Sequence, residues 1–232
     1  MSDLRVEKVP QLFPNLGRQL VHDPKSRAFP AQVTVDKSTW KTKSIRVIDP
    51  RKNPNQCHGE CTGTTKAMEM NAVGNRVMGQ VLNMDHAHQL YRFATIFDPF
   101  PGEWPPDDSG SSGLAACKAA KQLGLGGEYR HVFGGADEIV QLIMLGRVVT
   151  VGTWWYDGMF RSDEIGRIEP TGARVGGHQY LIRGYHKPLD CVVVRCWWGK
   201  FKDVWMRRDH LNDLLMDGGD AQIQDRVQPV VV

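Results

Sequence analysis

The chain lacks any apolar run near the ~20 residues that a membrane-spanning helix needs. Its opening, MSDLRVEKVP, also lacks the apolar stretch of a secretory signal. These absences predict a protein that engages no membrane, carries no signal peptide and resides in the cytoplasm. A basic tract is missing too: 29 Lys and Arg stand against 26 Asp and Glu, and the net charge of +3 is spread along the chain. Nothing there follows a phosphate backbone, so nucleic acid is not an expected partner. Cysteine is scarce and odd in number, five in all, which leaves at least one thiol outside any intrachain pair and makes a reducing compartment the simpler assumption. No internal repeat is present. At 232 residues the chain is long enough to bury a core without disulfide or metal staples.

What is there divides into three parts. Residues 1–36 are rich in Pro, Arg and Asp without sustained periodicity, and read as an extended arm over a domain spanning 37–220, with 221–232 as a tail. From Thr62 to Leu82, Ala67, Met70, Val73, Val77 and Leu82 recur at mostly helical spacing. His88–Phe97 is a second predicted helix, Ser112–Leu123 a third with a serine cap, and Gly134–Leu145 a fourth with acids in its first turn. Asp85–His88, "DHAH", reads as a solvated turn between helices. The loop FDPFPGEWPPDDSGSSG is dense in breakers. Beyond it RVVTVGTWWY, HQYLIRGY and CVVVRCWW are short, β-branched and aromatic, as antiparallel strands are. Helices first and strands second predict an α+β protein with two lobes and a cleft.

"NQCHGECTG", Asn55–Gly63, concentrates the chemistry. A thiol becomes nucleophilic when a helix N-terminus and a histidine lower its pKa, and Cys61 stands at a predicted helix start. The base must come from elsewhere in the chain, and "VGGHQYLIRGY" offers His178, opening an apolar strand after Gly176 and Gly177, where backbone approaches closely. Gln56 supplies an amide N–H for an oxyanion, with the Cys61 N–H as second donor. A zinc knuckle on Cys57, His58 and Cys61 would need four ligands, and no second Cys/His pair stands at a matching spacing, so no metal or cofactor is expected. Trp154, Trp155, Trp197, Trp198 and Trp205 are expected in the core and cleft wall of the strand-rich lobe.

The sequence resembles the papain-like cysteine peptidases. "QCHGEC" matches the family's Gln leading into Gly-x-Cys, as Gln56, Gly59 and Cys61; "GGHQYLIRGY" matches its base motif at His178; and "CWWG" stands where the family has Asn-Ser-Trp-Gly, retaining Trp198 and Gly199. "DDSGSSGLAACKAAKQLG", "VVTVGTWWYDGMF" and "LNDLL" look like compact variants from bacteria and actinobacterial phages, the resemblance covering roughly Trp40–Leu215. It implies a helical N-terminal lobe, an antiparallel β-barrel-like C-terminal lobe, and peptide-bond hydrolysis on a polypeptide substrate. Gly176, Gly177, Trp154, Trp155 and Trp198 would then line the substrate cleft. For a phage product, residence is the host cytoplasm or the virion.

Departures from the family's pattern carry implications of their own. Cys196 replaces the Asn that orients the base, a poorer acceptor for a ring N–H; Asp190 and Asp203 are possible substitutes. Glu60 puts a carboxylate beside the sulfur, which opposes thiolate formation. Competing expectations are a peptidoglycan amide hydrolase, an acyl transferase or deubiquitinase-type enzyme, and a catalytically impaired papain-fold protein with a binding or virion-structural role.

Overall fold

A computed structural model describes residues 17–19, 28–50, 59–72, 81–195, 203–225 and 227. Its elements in chain order are β1 (Lys43–Ser44), α1 (Cys61–Met70), α2 (Met84–Phe97), α3 (Gly113–Gln122), β2 (Tyr129–His131), α4 (Gly135–Met144), β3 (Val149–Tyr156), β4 (Arg167–Ile168), β5 (Arg174–His186), β6 (Cys191–Arg195), β7 (Val204–Arg207), α5 (Arg208–Met216) and β8 (Asp220–Gln224). The predicted α+β architecture is present.

Three helices form one lobe. Ala67, Met70, Leu82, Ala87, Leu90, Ala94, Ala115, Ala116, Ala119 and Ala120 make a core of mostly small side chains, which lets α1, α2 and α3 pack closely. Gly63 permits the tightest approach, since a Cβ there would overlap the Ala87 carbonyl and Tyr91 of α2. The helix predicted to run to Leu82 stops at Met70. Asn71 explains the stop: its side-chain amide donates to the Leu82 carbonyl at 2.8 Å and accepts from the Leu82 N–H at 2.8 Å, fastening a returning segment instead of continuing the turn. "DHAH" is no turn either. It lies in the first turns of α2, where Asn83 and His86 form a reciprocal cap: the Asn83 side chain accepts from the His86 N–H, and the His86 ring accepts from the Asn83 N–H, each at 3.2 Å. α3 and α4 stand as expected, with Ser112 capping α3.

The other lobe is an eight-stranded sheet in the order β2-β8-β3-β5-β6-β7-β4, with β1 added to β5. The expected barrel does not close. Pairing ends at the two-residue β4, which joins β7 in parallel, so the sheet stays open among the described residues. β8 runs through the boundary placed at residue 220, because Asp220, Ala221 and Gln222 pair with Gly152, Val151 and Thr150. A large core gathers Ile139, Val140 and Ile143 of α4 against Val149, Val151, Trp155, Tyr180, Ile182 and Val194 of the sheet.

α1 lies between the lobes, and all ten of its residues are buried. Its polar residues therefore need internal partners. Thr65 donates to the Gln179 carbonyl of β5 at 3.0 Å, Lys66 pairs with Glu69 at 2.5 Å and approaches the Cys117 sulfur at 3.1 Å, and Glu69 accepts the Gln224 N–H of β8 at 2.9 Å. These bonds set the first turn of α1 against the middle of β5.

Candidate active site

Cys61 opens α1 and is fully buried. A turn held from outside delivers it: the Gly59 N–H donates to Asp108 Oδ2 at 2.7 Å, while the Tyr91 hydroxyl donates to Asp108 Oδ1 at 2.6 Å. The backbone N–H of Gln179, the residue after His178, and that of Thr62 both point to the Cys61 sulfur. The start of α1 is thus set against the middle of β5, at the residue that follows His178.

His178 has no exposure and pairs across the sheet with Thr153. The Trp155 ring meets its imidazole edge-on at 4.9 Å between centroids, and Tyr180 lies on the same side at 6.1 Å. Trp155, expected in the substrate cleft, is instead fully buried in the core behind His178. The reason is register. Trp155 shares a sheet face with Thr153 and Val151, whereas Trp154, half-buried on the other face, carries the Arg174 guanidinium over its ring at 5.2 Å. Gly176 and Gly177 lie on β5 beside His178, Gly177 buried.

Gln56, Cys57, His58, Cys196, Trp197, Trp198 and Gly199 lie outside the described residues. Both suggested stand-ins for the family's Asn are held by arginines. Asp203 is clamped by Arg183 at 2.6 Å and by Arg195 at 2.8 Å, and Asp190 accepts from Arg208 at 2.9 Å and from Tyr185 at 2.7 Å. The Cys191 thiol donates to the Leu189 carbonyl at 3.2 Å.

Burial pushes the Cys61 thiol up to about 12; the Gln179 N–H, the charge of Arg18 and the Thr62 N–H oppose it, and the carboxylate of Asp108 adds to it. Asp108 is thus a carboxylate that works against the thiolate from across the chain. Glu60 turns away to His88 Nε2, 3.1 Å distant. Burial, and secondarily Asp108, raise Glu60 itself to about 7.

Arg18 reaches this site from the N-terminal arm, which sequence reasoning left without a function. Ser111 N–H donates to the Gly17 carbonyl at 2.7 Å, Gln19 N–H to the Ser111 carbonyl at 2.8 Å, and Arg18 N–H to the Gly177 carbonyl at 3.1 Å. A Cβ on Gly17 would overlap the Gly59 carbonyl, two residues before Cys61. Residues 17–19 thus lie over the turn that leads to Cys61 and beside Gly177, the residue before His178. No signal in an aperiodic stretch places residue 18 against residue 177.

No protein-family model and no curated protein sequence matches the chain. Solved structures do. Xylellain, a cysteine protease from Xylella fastidiosa, superposes with a TM-score of 0.67 at 15% identity, over 91% of this chain and 97% of that one. A procathepsin B from Trypanosoma congolense gives 0.59 at 10% identity over 92% and 88%, and a putative C39-like peptidase from Bacillus anthracis gives 0.54 at 15% identity over 81% and 100%. The fold is that of the papain-like cysteine proteases. Among the described residues, no helix of this papain-like chain is long and apolar enough to cross a membrane.

Proposed function

We propose that the chain is a cysteine peptidase that hydrolyses peptide bonds of polypeptide substrates through Cys61 and His178. One observation carries this reading: Cys61 starts the buried inter-lobe helix with its sulfur against the peptide N–H that follows His178. The Cys61 proton passes to His178 as sulfur attacks the carbonyl carbon, and His178 returns it to the leaving amine. Water then cleaves the thioester and restores the thiol. The N–H at the start of α1, with the Gln56 amide, receives the oxyanion. Trp155 holds the imidazole from behind, a positioning role that does not depend on a residue at 196.

Burial holds the thiol above its ordinary range against the groups that favour the thiolate. Residues 17–19 lie over the turn that leads to Cys61, so hydrolysis follows their displacement.

The test is hydrolysis of a denatured protein substrate after the arm is released by Arg18→Ala. Activity is expected, with complete loss in Cys61→Ala. Hydrolysis that survives Cys61→Ala contradicts the assignment. A second reading, a papain-fold protein kept for binding, is favoured by Cys196 standing where the resemblance expects Asn; its function would survive Cys61→Ala.

A further inference from the structure

Two carboxyl groups converge on the turn that delivers Cys61, and their surroundings serve them unequally. Asp108, from the 98–112 loop, accepts at both oxygens. Its Oδ2 takes the Gly59 N–H at 2.7 Å, and its Oδ1 takes the Tyr91 hydroxyl at 2.6 Å, which in turn accepts from the Gly110 N–H at 3.0 Å. Glu60 stands at the N-cap of α1, where a side-chain oxygen commonly accepts an N–H of the first turn, yet it makes no such bond. Its side chain, 2% exposed, points to α2 instead, with Oε2 3.1 Å from His88 Nε2. That oxygen is buried and makes no aligned hydrogen bond.

The same loop and helix enclose both carboxyls. Trp104 packs against His88 and Tyr91, with ring centroids 5.6 and 5.4 Å away. Among the described residues, the charged and titratable groups around Glu60 are Asp108 from the loop, His88 and Tyr91 from α2, and Cys61 as its chain neighbour. Arg18 of the arm, paired with Asp220 at 2.5 Å, acts on the Cys61 sulfur. A second carboxylate on this turn would lie near the first with no N–H of α1 capping it. Burial, and then Asp108, accordingly raise the Glu60 carboxyl to about 7.

We propose that Glu60 is a positioning residue of the peptidase and a pH-dependent clasp: neutral, it rests against His88 and keeps the Gly59–Cys61 turn seated; ionised, it is repelled by Asp108 and shifts Cys61 from its place against β5. The proposal deepens the peptidase reading and rests on it for biological meaning. Cys61 is the next residue and the first of α1, so a displacement of Glu60 carries the sulfur with it. The seated form prevails below about 7 and is lost as pH rises through that value. Hydrolysis is therefore favoured on the acid side, and above it turnover falls while substrate binding does not.

The test is the rate of Cys61 labelling by iodoacetamide in the Arg18→Ala protein, with and without Glu60→Gln, an isostere that cannot ionise. The quantity read is the ratio of the two rates. That ratio, variant over parent, is expected to rise at least about threefold between a pH of about 6 and one of about 9. A ratio that does not rise with pH overturns the proposal, whether it stays near one or is displaced equally at every pH, as a merely structural role would give. If Arg18→Ala does not fold, the same ratio is read in the otherwise native chain and decides in the same way. Labelling needs no turnover, so a chain that shows the rise but hydrolyses nothing sinks the peptidase reading and leaves the clasp standing.

Discussion

Two buried cations occupy opposite situations in this molecule. Lys66 and Arg18 each meet a carboxylate at 2.5 Å, and both side chains are almost entirely hidden from water. Lys66 belongs to the core. Its partner Glu69 is one turn along α1, Cys117 of α3 lies beside it, and Glu69 also accepts a backbone N–H from β8, so the group ties helices to sheet. Burial works against its charge, yet Cys117 and Glu69 outweigh that and hold the ammonium above its ordinary range. Arg18 sits on a segment fastened by a few backbone bonds, in a pocket that exists because Gly152 has no side chain. The same bond length thus serves architecture in one place and occupancy in the other.

The comparison is broken most directly through stability. Lys66→Met leaves Glu69 buried without its cation, and a loss of about 3–5 kcal/mol is expected, read from the midpoint of urea denaturation. Arg18→Met is expected to cost no more than about 1 kcal/mol, because the arm can leave and let water reach Asp220. Equal losses would mean that the arm is part of the core.

A third buried group sharpens the contrast, since Glu60 meets the half-exposed His88 at 3.1 Å while Asp108 opposes its charge. Its carboxyl is raised from 4.5 to about 7. The native chain therefore keeps a proton that the unfolded chain releases. Stability should fall as pH rises from about 4.5 to about 7 and stay lower above that, by up to about 3 kcal/mol, His88 offsetting part of it while protonated. Glu60→Gln should flatten this slope in melts recorded from pH 4 to 8. A slope of the same size in the variant assigns it to another group.

Much of the fold was legible because periodicity reports burial. α3, α4 and β3 lie close to where alternation and caps predict them, and Cys61 was placed at a helix start by the helical spacing that begins at Thr62. Failures came where one residue overrides a pattern or a partner is distant. Asn71 ended α1 through a bond to Leu82, which no helical spacing encodes. Two adjacent tryptophans could not be assigned faces without a register, so both Trp154 and Trp155 were sent to the cleft, although Trp155 faces the core. Arg18, Asp108 and Asp220 were missed because each acts across the chain, from an arm, a breaker-rich loop and a presumed domain end.

The central claim is that a Cys61–His178 nucleophile is assembled beneath an arm held by Arg18. Its most direct test is the pH dependence of iodoacetamide labelling at Cys61, followed by peptide mass spectrometry in the native, Arg18→Ala and Arg18→Ala/His178→Ala proteins. Removing Arg18 withdraws a charge that favours the thiolate, but burial is the larger influence on the thiol, so opening the cleft should win. The account predicts slow labelling of the native chain, labelling of Arg18→Ala with a midpoint below about 7, and loss of that midpoint without His178. A midpoint near the ordinary thiol value of about 8.5 in both variants would contradict it.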